Sequence, residues 1–205
     1  TPCRAIPNLV LRPLHLKLGL GEGVVDVGGF KMRLDPKECV DAALWFTPHL
    51  YDRKELRFLR NRFPADSDGW FVDIGANVGF WSLCFASWFP RWRILSVEAN
   101  PDTFNLLLEN IAMNGFDRVT AVQLGVYDSA GELPLYCNDS GNRGGDTFAS
   151  FASHRPRSVI VPVKPLDVIF SEWDVDKVNV LKIDIEGLEF KVLSRFFSRA
   201  LKDVW

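Results

Sequence analysis

Residues 70–79 read W-F-V-D-I-G-A-N-V-G, and the fold turns on how this stretch is understood. Trp70 to Ile74 make the short, largely apolar run of a buried parallel strand. Gly75, Asn77 and Gly79 then predict a tight turn, and an apolar helical segment follows over residues 80–89. Strand, glycine turn and helix together form the first unit of a nucleotide-binding α/β sheet, where missing Cβ atoms let a ligand approach the backbone and the helix start offers free N–H groups. Residues 93–97 read as the next strand. It ends in Glu98, a carboxylate placed to bind the two hydroxyls of a ribose.

The turn also discriminates between nucleotides. A dinucleotide site needs Gly-x-Gly-x-x-Gly to seat a pyrophosphate on the helix start. Asn77 and Phe80 hold the second and third glycine positions, and Asp73 would repel a phosphate. An acid at the strand end suits a ligand with a positive amino group. A ligand that combines a ribose, an amino-acid end and no phosphate is S-adenosylmethionine, which is the expected cofactor. The plain alternative is a Rossmann-like turn with no ligand, and a nicotinamide cofactor is the least favoured.

The chain has 205 residues, 47% hydrophobic and 24% charged, enough for one domain with one large core. A net charge of −2 gives no overall pull toward nucleic acid or an anionic membrane. Cys3, Cys39, Cys84 and Cys137 are widely spaced, which predicts free thiols in a reducing, cytoplasmic compartment. No stretch has the length of a membrane span, and the first residues lack a signal-peptide pattern. His15 and His49 have no metal-ligand partner at suitable spacing, so no metal is expected.

Residues 1–23 predict an irregular or partly helical lead-in, followed by a hairpin over 24–34 around Gly28-Gly29. Helices are expected over 37–46 and 52–63. The second carries Arg53, Lys54, Arg57, Arg60 and Arg62, a basic face whose ordinary explanation is solvation and whose functional one is an acidic partner. After Glu98, Asn100-Pro101 marks a helix start, Phe104, Leu107, Leu108 and Ile111 its buried stripe, and Gly115 its stop. Residues 119–124 predict a third strand. The turn Gly125-Val126-Tyr127-Asp128 at its C-terminal end is expected to pack on an adenine, with Asp128 near its amino group. An extra strand pair is expected at 132–136 and 159–163. Between them, residues 138–158 form a polar, glycine-rich loop expected to cover the substrate side, with His154 as one possible base.

Residues 178–185, V-N-V-L-K-I-D-I, predict another buried strand running into Glu186-Gly187. Lys182, Asp184 and Glu186 alternate and so share a face, at the strand end next to the expected cofactor. Burying charges unpaired is costly. Either Lys182 and Asp184 satisfy each other or at least one of the three serves a site, and the site role is the expectation taken forward.

Four motifs in order carry a family resemblance: V-D-I-G-A-N-V-G at 72–79, V-E-A-N-P at 97–101, P-L-D-V-I at 165–169 and L-K-I-D-I-E-G-L-E at 181–189. Over residues 24–200 the chain resembles the FkbM family of S-adenosylmethionine-dependent methyltransferases; the hairpin and the Tyr51 and Glu55 segment of the lead-in fit as well. The resemblance implies an α/β, Rossmann-like class I methyltransferase fold, mostly parallel, with helices on both faces. Two parts are expected: an N-terminal lead-in (1–66) packing on the core, and an S-adenosylmethionine-binding core (67–205). Asp73, Gly75, Asn77 and Gly79, with Ala76 among them, would line the methionine end of the donor. Glu98 would hold the ribose with Asn100 beside it, and Val126 and Tyr127 would meet the adenine. Asp184 and Glu186 match the acidic motif near the transferred methyl. This fold ordinarily ends in a fifth parallel strand and an antiparallel pair, for which residues 202–205 leave no room. The chain is therefore expected to be a fragment or to close its sheet differently.

The expected activity is methyl transfer, most often to a hydroxyl oxygen of a small-molecule, sugar or lipid-linked acceptor. Asp184 is the first candidate base, Glu186 the second, and Lys182 a charge partner. A small-molecule or glycan acceptor is the expected partner. Two other readings compete: a nucleic-acid or protein methyltransferase, favoured only by the 53–62 helix, and a non-catalytic S-adenosylmethionine-binding domain.

Overall fold

In a computed structural model of the chain, residues 6–19, 21–138, 141–149 and 157–200 are described. Strand β3 (Trp70–Ile74) is followed by α4 (Phe80–Trp88), β4 (Arg93–Glu98), α5 (Pro101–Ala112) and β5 (Val119–Gln123). The chain later returns through α6 (Leu166–Glu172) to β9 (Val180–Ile183), and α7 (Glu189–Ala200) follows. The four strands form one parallel sheet in the order β5-β4-β3-β9. Strand order thus reverses at β3, with β4 on one side and β9 on the other. In such sheets the ligand crevice lies outside the strand C-termini at this switch point.

Alternation along the strands builds two cores. Phe71 and Ile94 face α4 and the turn after it, where Phe85, Phe89 and Trp92 are buried and the Phe71 and Phe85 rings stack 3.9 Å apart. Val72, Ile74, Leu95 and Val97 face the other way, onto Leu166, Ile169 and Val192. Helices therefore cover both faces, and the expected α/β architecture is present.

A second, three-stranded sheet combines β6 (Gly125–Val126), β7 (Gly131–Tyr136) and β8 (Ser158–Lys164). The expected extra pair is β7 and β8, which run antiparallel. Residues 125 and 126, expected as a turn, pair with Val163 and Lys164 as a short parallel strand.

The lead-in consists of α1 (Ile6–Lys17), the hairpin β1 (Gly23–Asp26) and β2 (Lys31–Leu34), α2 (Cys39–Phe46) and α3 (Arg53–Arg62). Two asparagines four residues apart, Asn110 on α5 and Asn114 just past its end, dock it. Asn110 accepts from Arg33 N at 2.7 Å and donates to Val78 O at 2.8 Å. Asn114 accepts from Lys31 N at 2.8 Å and donates to Lys31 O at 2.7 Å. Their amides stand in for a neighbouring strand along the free edge of β2, which satisfies backbone groups that would otherwise be left open. Asn110 takes a place in the buried face of α5, whereas Leu108, expected there, is 43% exposed.

Cysteine pairing differs from expectation. Cys84 and Cys137 are buried thiols, but Cys39 is disulfide-bonded. Separation along the sequence does not measure separation in the fold, so wide spacing was no guide to a free thiol. Among the described residues no helix is long and apolar enough to cross a membrane. The described chain ends within α7, so what completes the sheet beyond residue 200 lies outside the described residues, as does His154.

Candidate active site

A cleft of about 310 Å³ opens at the C-terminal ends of β3, β4 and β9. Its floor is set by the turn after β3. Gly75 N and Ala76 N both donate to Val97 O, at 2.9 and 3.0 Å, and Asp184 N donates to Ile74 O at 3.0 Å. Gly75 has φ +71°, and a Cβ there would lie 2.0 Å from Asp184 O. Gly79 has φ +92°, and its Cβ would lie 2.6 Å from Leu107 Cδ1. These glycines were expected to admit a ligand. The space a Cβ would fill at Gly75 holds the chain leaving β9, and at Gly79 it holds α5. Gly75, Ala76 and Asn77 line the cleft, whereas Gly79 does not.

Glu98 sits at the centre. Asn77 N donates to Oε2 at 2.8 Å and Asn100 N to Oε1 at 2.9 Å. Burial pushes its carboxyl up to about 6, although the N–H groups of Asn100 and Asn77 favour the charged form. The two donors fix the plane of the carboxylate and leave each oxygen a further lone pair for a ligand. Asn77 adopts φ +51°, and its Oδ1 is buried with no hydrogen-bond partner. Such an acceptor calls for a donor from a bound molecule.

Asn100 does not line the cleft. It caps α5, accepting from Asp102 N at 2.9 Å, and donates to Asp146 Oδ2 at 2.6 Å. Val126 lines the cleft, while Tyr127 lies outside it under Lys191, whose Nζ is 3.9 Å from the ring centroid. Lys191 also pairs with Asp128, at 3.2 Å.

The acids separate into two layers, joined by Lys182, which lines the cleft and reaches down to Asp73. Asp73 is fully buried below the floor and does not line the cleft. Its Oδ2 accepts from Ser82 Oγ at 2.7 Å, and its Oδ1 lies 3.0 Å from Lys182 Nζ. Lys182 Nζ also donates to Gly75 O at 2.9 Å. The partner of Lys182 is thus Asp73, not Asp184. Strand β9 stops at Ile183, two residues earlier than expected. Asp184 and Glu186 belong to the turn beyond it, with Glu186 at φ +52°, and both are exposed in the cleft wall.

The remaining walls come from distant segments. The loop 141–149 contributes Arg143, Asp146 and Phe148. It is latched to α2 and the residue before it: Arg143 N donates to Glu38 Oε2 at 2.7 Å, and Arg143 Nη2 to Asp41 Oδ2 at 3.2 Å. Asp41 is completely buried, and burial raises its carboxyl to about 6 against the opposing pull of Arg143. Thr147 Oγ1 donates to Glu186 O at 2.9 Å, which ties the loop to the acidic turn. Opposite, Val40, Tyr51 and Asp52 come from the lead-in. Asp52 is held at φ +44° with its Oδ2 accepting from Trp81 Nε1 at 2.9 Å, and burial raises its pKa. Asp52, Arg143 and Asp146 are site residues that motif spacing missed. The glycine-rich composition of 138–158 and the Tyr51 segment were the only hints of them.

A model of the methyltransferase FkbM domain matches residues 73–203. The chain belongs to the FkbM methyltransferase family. This is a family of S-adenosylmethionine-dependent enzymes, as the turn and Glu98 led us to expect. FkbM relatives include methyltransferase sdnD of Sordaria araneosa, 30% identical over 177 residues, covering 72% of this chain and 64% of that protein. Hexuronic acid methyltransferase AglP of Haloferax volcanii is 25% identical over 182 residues, covering 88% of this chain and 70% of that protein. The chain thus spans less than two thirds of the length of sdnD. Among solved structures, TYW2 of P. horikoshii in complex with MeSAdo overlaps with a TM-score of 0.38 at 26% identity, over 51% of this chain and 36% of that one.

Proposed function

We propose that this FkbM chain transfers a methyl group from S-adenosylmethionine to a hydroxyl oxygen of a small-molecule, sugar or lipid-linked acceptor. The observation that carries the reading is Glu98, oriented by two backbone N–H groups inside a cleft whose far wall bears Asp184 and Glu186. The name of AglP, a hexuronic acid methyltransferase, favours a glycan-type acceptor.

The cleft residues fit the donor. Glu98 would accept from its ribose hydroxyls, the unpartnered Asn77 Oδ1 from an N–H or O–H donor, and Val126 and Phe148 would meet its adenine. Asp73, paired below the floor, acts through Lys182 and Gly75 and holds the turn rather than the ligand. When bound, the donor supplies an electrophilic methyl carbon on a sulfonium. The protein's part is to hold the acceptor oxygen in line behind that carbon, a placement that reaches effective molarities of about 10⁵ M or more. Asp184 takes the acceptor's proton at a carboxylate oxygen, a contribution of roughly 10²–10⁴-fold. The loop 141–149, Tyr51 and Asp52 shield the reacting groups from water.

The test is methyl transfer from radiolabelled S-adenosylmethionine to a panel of hydroxylated acids and glycosides, with wild type and Asp184→Asn. Turnover in wild type, reduced at least 100-fold in the variant at unchanged donor affinity, is the expected result. Equal turnover in both removes Asp184 as the base. Donor binding without transfer to any acceptor would favour a non-catalytic domain.

A further inference from the structure

We infer that a second cavity, beside the cleft, binds an oxyanion attached to an apolar group and is the acceptor subsite of this enzyme. The cavity measures about 540 Å³, within the range of small-molecule sites. Its apolar wall includes Phe30, Leu56 and Trp88, and its polar rim is Arg53, Arg57 and Arg60 of α3. Among the described residues no acidic side chain lines it.

The arginines are spaced four and three residues apart, so they form one stripe along α3, whose ten residues carry five bases against one acid. Like charges at this spacing destabilise a helix. None of the three arginines forms an ion pair among the described residues to offset that cost. Arg60 lies over the Trp88 ring, 5.3 Å from its centroid, which fixes its guanidinium at the edge of the apolar wall. Guanidinium groups bind phosphate and carboxylate oxygens in pairs of hydrogen bonds, and such bonds strengthen beside a surface that excludes water. The pattern suits an anionic amphiphile. A solvated basic face needs no cavity beneath it.

Position links this cavity to the chemistry. Tyr51 and Phe80 line both it and the cleft, with ring centroids 5.3 Å apart and planes at 87°, so one aromatic pair is the shared wall. A molecule anchored on α3 would reach past that pair toward Asp52 and Asp184. Use of the cavity for an acceptor rests on the methyl-transfer reading above, whereas binding to the cavity does not.

The experiment is calorimetric titration of the whole chain with n-octyl phosphate and with octanoate, each below its micelle concentration. Octanol and inorganic phosphate are the controls, and Arg53→Ala/Arg57→Ala is the variant. Both substituted side chains are exposed, and its melting curve checks its fold. We expect octyl phosphate, octanoate or both to bind wild type at least tenfold more tightly than the variant, and more tightly than either control. Affinity for S-adenosylmethionine should be the same in wild type and variant. Equal binding by a folded variant, binding of neither anion, or octanol binding as well as the anions would each overturn the inference. Loss of donor binding with octyl phosphate binding intact would instead strike the methyl-transfer reading alone.

Discussion

The two walls of the cleft are built by different means. The wall proposed for the donor, from Gly75 to Glu98, comes from one strand–turn–helix–strand unit and is held by backbone hydrogen bonds and by one carboxylate that accepts two N–H groups. The wall proposed for the acceptor is assembled from α2, Tyr51-Asp52, the loop 141–149 and the turn after β9. It is held by side chains: Arg143 on Glu38 and Asp41, Thr147 on Glu186 O, and Asp146 on Asn100. The difference suggests a division of labour. A wall made from consecutive backbone is rigid and suited to one invariant ligand, whereas a wall of latched loops can change with the acceptor.

The largest effect that would break this contrast is at Gly75. Gly75→Ala sets a Cβ against Asp184 O in a left-handed backbone, and we expect a loss on the order of 5 kcal/mol or no folded protein. Gly28 has a similar φ of +75° but nothing within 4 Å, so Gly28→Ala should cost only about 1–2 kcal/mol. Urea unfolding of the pair measures the difference. Equal losses would mean that close packing at the turn contributes nothing.

Lys182→Met follows. It strands the fully buried Asp73 with Ser82 as its one remaining partner, and about 3–5 kcal/mol should be lost. Adding Asp73→Asn should restore part of the stability. If Lys182 were chiefly catalytic, the double variant would be as inactive as the single one, and the single one would remain stable.

These two positions also show where the sequence was legible and where it was not. The turn, the helix cap at Asn100 and the strand ending in Glu98 are local signals, and their geometry follows from a few neighbouring residues. Alternation placed Lys182 and Asp184 on one face, but it carries no information on depth. It could not tell a cleft-lining lysine that reaches down to the buried Asp73 from an acid exposed in the wall. Gly75 and Gly79 were legible as required glycines, while what they make room for, Asp184 O and Leu107, lies on other elements. Asp52, Arg143 and Asp146 enter the cleft through tertiary contacts that no local pattern encodes.

Arg143→Ala is the next test, aimed at the acceptor wall. It should cost about 1–3 kcal/mol and lower turnover with little effect on donor affinity. Its pH dependence has a definite sign. Asp41 and Glu98 both have folded-state pKa values of about 6, above the ordinary carboxylate values of 3.8 and 4.5, so the fold binds the extra protons. Their contribution to stability is full below pH about 4 and is lost as pH rises through about 6. Without Arg143 the charged Asp41 loses its cationic partner and keeps the Asp35 N–H. The fall in stability between pH 5 and 7 should therefore be steeper in the variant than in wild type. Parallel pH profiles would show that the latch is not holding Asp41.

The smallest effect sharpens the donor wall. Protonation of Glu98 below about pH 6 removes the carboxylate that would accept the ribose hydroxyls. Donor affinity should fall about tenfold between pH 7 and 5. In Glu98→Gln it should be weak and flat with pH.

The measurement that tests the central claim most directly is calorimetric titration with S-adenosylmethionine, S-adenosylhomocysteine and NAD, for wild type and Glu98→Ala. The account predicts that both sulfur ligands bind wild type, that NAD does not, and that Glu98→Ala loses at least 100-fold in affinity while remaining folded. Undiminished binding in a folded Glu98→Ala variant, or binding of NAD in place of the sulfur ligands, would contradict it.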